Sequence, residues 1–274
     1  MPEYFKKKVL ILGDGAVGKT SLIRRYVVDA FSDEYITTIG TKTTKKDIAV
    51  EVGGQASNVS LLIWDVLGQR GYSEVQTNAF QGAKGVLLVY DVSRPETRGS
   101  LVDYWIPRVW SVVGHLPMVV FANKADLAAR PAAEEAQLRM MTELYECEGF
   151  LTSAKSGHNV EAGFLALGRA LLLAGEAGPK QMRGVLAVGA GGDGLIGVTD
   201  KIMADFCREF GDIESAMPIV KHQCTRAGVD VKAPSKDGLL RLVEYLAGVE
   251  QGFKPAERVT ENRTRRMGWL RKAN

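Results

Sequence analysis

Short apolar runs alternate with helical patterns along most of the chain. Five runs have the length of buried strands, and they cover residues 9–12, 59–64, 86–90, 118–122 and 149–152. Two helical patterns begin after Lys19 and after Tyr72, and three more cover residues 101–113, 133–146 and 160–173. Because helices of this length suit the crossovers between parallel strands, the pattern predicts an α/β domain with a mostly parallel sheet flanked by helices.

One pair of strands is predicted to be antiparallel. Residues 44–52 and 59–65 have strand-like patterns, and the Gly53-Gly54-Gln55 turn between them suits a hairpin. The first of these strands would therefore add one antiparallel edge to the sheet.

The pattern changes at residues 175–179, where small residues and a proline follow the last of these helices. We therefore predict a first domain over residues 1–175. The glycine-rich residues 176–198 are predicted to form a linker or a short hairpin, and the sequence allows either. Residues 199–274 are predicted to form a smaller, mainly helical domain whose function the sequence does not indicate.

Four helix starts are predicted in this second domain. Thr199 or Asp200 can cap the first helix, because a side-chain oxygen can accept from the free N–H groups of a first turn. Asp212 and Ser235 can cap the next two in the same way. Pro255 suits the first turn of the fourth, where a missing N–H costs nothing.

Composition adds little to this picture. The chain has 274 residues and a net charge of +3, which is too balanced to indicate a nucleic-acid-binding protein. No long apolar run or signal peptide is evident, so we expect a cytoplasmic protein. Cys147, Cys207 and Cys224 lie far apart, and their spacing indicates neither a disulfide framework nor a zinc site.

A phosphate-binding loop (P-loop) follows the first apolar run. The motif G-x-x-x-x-G-K-[ST] and the residue after it comprise Gly13, Asp14, Gly15, Ala16, Val17, Gly18, Lys19, Thr20 and Ser21. Glycines allow the sharp turn that points backbone N–H groups and a helix N-terminus at an anionic triphosphate. Lys19 would reach the outer phosphates, and the Thr20 hydroxyl would bind Mg²⁺.

Two further motifs select the base. Asn123-Lys124-Ala125-Asp126 follows the fourth run, and the Asp126 carboxylate can accept from both the N1–H and the N2 amine of guanine. Adenine lacks that donor pair and would leave the carboxylate unpaired. Ser153-Ala154-Lys155 follows the fifth run and offers the Ala154 N–H to guanine O6. An ATP-dependent kinase or ATPase is the alternative that these motifs disfavour.

Taken in order, these motifs resemble the Ras-like small GTPases, and the Rab group in particular, over residues 3–174. Residues 33–40 resemble the first switch loop, and residues 64–69 resemble the second. The resemblance implies that Thr38 binds Mg²⁺ and senses the γ-phosphate, and that Phe31 packs against the guanine. It also implies that Asp65 contributes to the magnesium site by holding the ligands of the ion, that Gly68 donates to the γ-phosphate and that Gln69 positions the attacking water.

The resemblance implies a molecular switch that binds GTP or GDP with Mg²⁺ and hydrolyses GTP slowly, with Gln69, Lys19 and Thr38 acting in catalysis. Effector, GTPase-activating and exchange proteins would act through the two switch loops. Val66 and Leu67 replace the usual threonine and alanine of the family. They motivate the alternative of a nucleotide-stabilised scaffold that barely hydrolyses GTP and acts through its C-terminal helical domain.

The C-terminal segment departs from the Rab pattern. It ends Arg271-Lys272-Ala273-Asn274 without a nearby cysteine, so prenylation is not expected. The last helix mixes arginines with apolar residues, which allows peripheral membrane contact, but packing on its own domain is the favoured interpretation. Nucleic-acid binding is the least favoured of the three.

Overall fold

The computed structural model describes residues 4–30, 41–66, 68, 73–176, 194–211 and 213–273. The chain divides into two compact units. Residues 1–101 and 116–180 form the first unit, and residues 102–115 and 181–274 form the second.

The first unit contains a six-stranded sheet with the order β2-β3-β1-β4-β5-β6. Its strands are β1 (Tyr4–Leu12), β2 (Thr41–Val52), β3 (Gln55–Val66), β4 (Gly85–Asp91), β5 (Met118–Asn123) and β6 (Glu148–Leu151). β2 pairs antiparallel with β3, and all other pairs are parallel. The predicted α/β fold and its single antiparallel edge strand are therefore confirmed.

Along the chain, helices alternate with the strands of this sheet and follow the last of them. They are α1 (Lys19–Val28), α2 (Ser73–Phe80), α3 (Pro95–Ser100), α4 (Ile106–Val113), α5 (Pro131–Leu144) and α6 (Val160–Glu176). A π-helical turn, Leu101–Trp105, joins α3 to α4. The apolar residues of β1, β3, β4 and β5 pack with α1 and α6 into one core. Parallel strands that are covered on both faces are apolar along most of their buried length, which explains the apolar runs in the sequence.

The second unit contains the helices α7 (Leu195–Phe210), α8 (Ile213–Ala227), α9 (Lys236–Glu250) and α10 (Ala256–Lys272). The predicted helical character of this region is therefore correct. α7 begins at Leu195 rather than at Thr199 or Asp200, so residues 195–198 are helical and belong neither to the predicted linker nor to a hairpin. Thr199 lies inside the helix, where its hydroxyl donates to the Leu195 carbonyl oxygen at 2.8 Å.

Two of the other predicted helix starts can be compared with the structure. Ser235 caps α9, since its hydroxyl accepts from the Gly238 N–H at 3.1 Å. Pro255 is the residue directly before α10. Asp212 lies outside the described residues, as do residues 177–193 of the predicted linker.

Residues 102–115 belong to the second unit although they lie between β4 and β5 in the chain. Asp103 Oδ1 accepts from Gln223 Nε2 at 3.0 Å, and its Oδ2 pairs with Arg226 at 2.9 Å. A Cβ atom built on Gly252 would lie 3.2 Å from Tyr104 Cδ2. The predicted first domain over 1–175 therefore includes a helical segment that clusters with the C-terminal helices.

Four arginines of α10 are paired with acids of α7 and α9. Arg263 pairs with Glu244 and Arg258 with Glu209. Three fully buried side chains, Asp205, Glu250 and Arg266, form what we call the buried ion cluster. Arg266 Nε donates to Asp205 Oδ2 at 2.9 Å, and its Nη2 donates to Glu250 Oε1 at 2.6 Å. The positive charge of the C-terminal sequence is therefore largely matched within its own unit.

None of the helices in the described part of the chain combines the length and the apolar character needed to span a bilayer.

Candidate nucleotide-binding site

The carboxyl ends of five neighbouring strands bring the predicted motifs together. β1 runs parallel to β3 and β4, so the loop after Leu12 lies beside Asp65 and Asp91. β4 and β5 are also parallel, and Asp91 is paired with Asn123 in register. Ligands bind at this edge of open parallel sheets because the loops that leave the strands meet there.

The path of the P-loop depends on left-handed backbone positions. Gly13 and Gly18 have φ angles of 147° and 100°, and Ala16 has a φ of 61°. A Cβ atom on Gly13 would collide with the Val89 carbonyl oxygen, and one on Gly18 would collide with the Asn123 amide. Glycine is therefore needed at both motif positions for space as well as for conformation.

Helix α1 begins directly after this loop. Gly18 is its N-cap residue, and among the described residues no side chain caps the helix and no acidic residue occupies its first turn. Its first N–H groups and the positive end of its dipole therefore suit an anionic ligand.

Lys19 is folded back over the P-loop. Its ammonium donates to the Gly13 carbonyl oxygen at 2.7 Å and to the Asp14 carbonyl oxygen at 2.9 Å. Burial lowers the pKa of Lys19 to about 8, although Asp65 and Asp14 oppose the shift. The hydrogen bonds that Lys19 makes to the described P-loop go to neutral carbonyls, so a phosphate would give this buried ammonium a direct anionic partner.

The groups predicted to act on Mg²⁺ lie next to each other. The Thr20 hydroxyl donates to Asp65 Oδ2 at 2.5 Å, and Asp65 is almost completely buried at the end of β3. A hydroxyl and a carboxylate are oxygen donors of the kind Mg²⁺ prefers, so the donor set fits the ion. Gly68 lies beside Lys19, since a Cβ atom on Gly68 would collide with the Lys19 ammonium.

Asn123 connects the Asn123–Asp126 motif, which we call the base motif, to the P-loop. Its Nδ2 donates to the Val17 carbonyl oxygen at 2.8 Å, while its Oδ1 accepts from the Ala154 N–H at 3.2 Å. The side chain is 1% exposed. The two loops that follow β5 and β6 are therefore fixed to the loop that follows β1.

The residues assigned to guanine surround this junction. Asp126 is exposed, and its Oδ1 accepts from the Ser153 hydroxyl at 2.5 Å. Lys124 has a left-handed φ of 63° and is partly exposed. The Ala154 N–H, which the sequence assigns to guanine O6, here donates to Asn123, so its role toward guanine stays a prediction.

Sequence reasoning missed three side chains that shape this site. Arg25 of α1 donates from Nε to the Ala154 carbonyl oxygen at 2.9 Å and from Nη2 to that of Lys155 at 2.7 Å. Arg94 donates to the Gly15 carbonyl oxygen at 2.9 Å, and the Ser100 hydroxyl donates to Asp14 Oδ2 at 2.5 Å. None of them belongs to a motif, so only the folded chain reveals their contacts.

Several predicted residues lie outside the described part of the chain. They are Phe31, Thr38 of the first switch loop, and Leu67 and Gln69 of the second. Their roles therefore stay predictions.

Comparison with known proteins identifies the same family that the sequence motifs resemble. The sequence model of the Ras family matches residues 8–173. Ras-related protein Rab7 of Drosophila melanogaster is 35% identical over 176 residues, which cover 62% of this chain and 83% of that protein.

Two other relatives match a similar length of the chain. Ras-related protein Rab-13 of Canis lupus familiaris is 31% identical over 166 residues, or 61% of this chain and 80% of that protein. GTP-binding protein ypt1 of Schizosaccharomyces pombe is 30% identical over 171 residues, or 61% of this chain and 81% of that protein.

Proposed function

Because the chain belongs to the Ras family of GTP hydrolases, we propose that it is a guanine-nucleotide switch whose P-loop, base motif and magnesium residues act together at the sheet edge. The observation that carries the proposal is the contact between motifs. Asn123 joins the base loop to the P-loop, and Thr20 of α1 joins Asp65 of β3. A triphosphate, its base and its metal ion need these loops to be adjacent.

The base is the first part of the proposal to test. Asp126 is exposed beside Ser153, where its carboxylate can accept from the two donors on the edge of guanine. Competition of unlabelled GTP, GDP and ATP against a fluorescent GDP should show strong binding of both guanine nucleotides. Displacement by ATP at the same concentrations would contradict guanine selectivity and favour a P-loop kinase or ATPase.

Removal of Mg²⁺ is expected to speed nucleotide release. Thr20 and Asp65 would hold the ion, which would neutralise charge on the outer phosphates. We therefore expect excess EDTA to accelerate release of fluorescent GDP by about tenfold or more, as a loss of about 1.4 kcal/mol or more would give.

The variant Thr20→Ala tests whether this effect acts through the proposed ligand. It should release GDP rapidly with or without EDTA. The matched control is Thr142→Ala on α5, where the Thr142 hydroxyl donates to the Arg139 carbonyl oxygen. This control should respond to EDTA like the unaltered protein. Equal responses of the two variants would contradict the role of Thr20.

Hydrolysis is proposed to depend on Gln69, which would position the attacking water while Lys19 stabilises charge on the phosphates. Thr38 would sense the γ-phosphate, and its loss of contact after hydrolysis would release the first switch loop. Gln69→Leu should slow single-turnover GTP hydrolysis by about tenfold or more while GTP affinity changes little.

The hydrolysis assay also addresses the scaffold alternative. It needs the unaltered protein with and without a candidate activating protein, because intrinsic turnover in this family is expected to be slow. Unchanged hydrolysis in Gln69→Leu would refute the role of Gln69. Absence of phosphate release above buffer in every sample would favour the scaffold function.

We further propose that effector, activating and exchange proteins bind through the two switch loops, and that the protein acts in the cytoplasm. A pull-down with the GTP-locked and GDP-bound forms tests the first point. Partners that distinguish the two forms support it, and equal recovery of all partners would contradict it.

A further inference from the structure

The turn after β4 connects the two halves of the candidate site. Asp91 is the last residue of β4, and its side chain is 1% exposed. Its Oδ1 accepts from the Ser93 N–H at 2.9 Å and from the Ser93 hydroxyl at 2.6 Å. Its Oδ2 accepts from Arg94 Nε at 3.0 Å and pairs with Lys124 Nζ at 2.6 Å. One buried carboxylate therefore binds the lysine of the base motif and an arginine of the next turn.

Arg94 extends this chain of contacts to the P-loop. While Nε binds Asp91, Nη2 donates to the Gly15 carbonyl oxygen at 2.9 Å. The planar guanidinium presents rigid donors in several directions, so one side chain can bind a carboxylate and a carbonyl together. Ser100, at the end of α3, holds the neighbouring Asp14 side chain. Two adjacent P-loop residues are thus held by the segment that follows β4.

The turn itself is well fixed. The Arg94 N–H donates to the Asp91 carbonyl oxygen at 2.9 Å, and the Thr97 hydroxyl donates to the Arg94 carbonyl oxygen at 2.7 Å. Burial acts to raise the pKa of Asp91, but hydrogen bonds from Lys124, Ser93 and Arg94 outweigh it and hold that pKa below its usual value. The carboxylate is therefore ionised at neutral pH and can serve as a permanent anchor.

We propose that Arg94 is a positioning residue of the nucleotide site, which holds the P-loop at Gly15 in a fixed relation to Lys124 through the buried carboxylate of Asp91. This inference rests on the proposed function, in which Lys124 faces the base and the P-loop faces the phosphates. Base and phosphates are parts of one ligand, so both loops must be correctly spaced at the same time. Arg94 sets that spacing before the ligand arrives, which lowers the entropy cost of binding.

Arg94→Ala tests this role, because it frees the Gly15 carbonyl and leaves the contact between Asp91 and Lys124 in place. We expect fluorescent GDP to leave the magnesium-bound protein about tenfold faster, as the loss of one charged hydrogen bond would give. The ³¹P resonance of the β-phosphate of bound GDP should also shift, because the P-loop surrounds that phosphate.

Arg94→Lys separates positioning from simple stabilisation. A lysine can keep the ion pair with Asp91, but its single ammonium cannot also reach Gly15. We expect this variant to unfold at the temperature of the unaltered protein and still to release GDP rapidly, with a shifted ³¹P resonance. It also carries the test if Arg94→Ala does not fold.

Arg98→Ala is the matched control. Arg98 lies one turn further along α3, and its Nη1 lies 3.4 Å from Glu134 Oε2. This variant should release GDP at the unaltered rate with an unshifted resonance.

The outcomes distinguish this inference from the proposed function. If the unaltered protein does not retain GDP, the proposed function fails. If it retains GDP but Arg94→Ala releases it at the unaltered rate, the positioning role is refuted. Full recovery of slow release and of the unshifted resonance in Arg94→Lys would also refute it, since the ion pair alone would then suffice.

Discussion

Asp126→Asn is expected to move the base preference of the protein from guanine to xanthine. The asparagine oxygen can still accept from the Ser153 hydroxyl, which now binds Asp126 Oδ1 at 2.5 Å. Its amide nitrogen would then face the N2 amine of guanine, and two donors would oppose each other. Xanthine carries a carbonyl oxygen at that position, which accepts from the amide.

The expected loss of GDP affinity in Asp126→Asn is about 10²- to 10⁴-fold, from two charge-assisted hydrogen bonds of about 1.5–3 kcal/mol each. Xanthosine diphosphate should gain affinity in the same variant. Equilibrium competition with both nucleotides measures the change. Asp200→Asn, an exposed position on α7, makes the same chemical change away from the site and should leave both affinities unaltered. Unchanged GDP affinity in Asp126→Asn would contradict base recognition by this residue.

The second large effect is expected in the buried ion cluster. Arg266→Met keeps much of the side-chain volume but leaves Glu250, which is fully buried, without its cation. Breaking a buried pair in this way costs about 3–5 kcal/mol. Asp205 is affected less, because Arg265 also binds it at 2.9 Å. We therefore expect a marked fall in hydrogen-exchange protection of peptides from α7, α9 and α10.

The stability lost in the Arg266→Met variant should depend on pH. Burial raises the pKa of Glu250 despite the opposing hydrogen bond and charge of Arg266. A raised pKa means that the folded state binds the proton more tightly than the unfolded state, so protonation of Glu250 favours folding as the pH falls. The stability lost in Arg266→Met should therefore shrink toward acidic pH, where Glu250 needs no counter-ion.

Two further variants test whether unpaired charge causes the loss. Arg266→Met combined with Glu250→Leu removes both buried charges and should be more stable than Arg266→Met alone. Arg263→Ala breaks the exposed pair with Glu244 and should change protection little, because solvent screens such pairs. A double variant no more stable than Arg266→Met would refute the explanation.

The strands and the nucleotide motifs could be predicted from sequence because each depends on neighbours in the chain. β4 and β5 are buried apolar runs, and the P-loop motif carries its own turn and helix start. The contacts of Arg94 with Gly15 and of Arg25 with Ala154 could not be predicted, because they join residues 79 and 129 positions apart. Such pairs exist only once the sheet has brought its strand ends together.

Two features of the second unit differ from the sequence prediction, and they differ for separate physical reasons. The glycines before Leu195 favoured a turn, but apolar residues at helical spacing pack α7 from its first turn, and Val198 and Ile202 are buried. Residues 102–113 have a helical pattern, and periodicity identifies the buried positions without identifying their neighbours. Their grouping with the C-terminal helices therefore depends on tertiary contacts that the pattern does not encode.

That grouping bears on protein engineering. A gene fragment that ends near residue 178 encodes residues 102–115 without the helices with which they cluster. Asp103 would lose Gln223 and Arg226, and Tyr104 would lose the neighbouring backbone at Gly252. The fragment is continuous in sequence, but it separates residues 102–115 from the rest of the second unit. Shortened proteins should therefore be checked for solubility and self-association before any change in their binding partners is assigned to the missing helices.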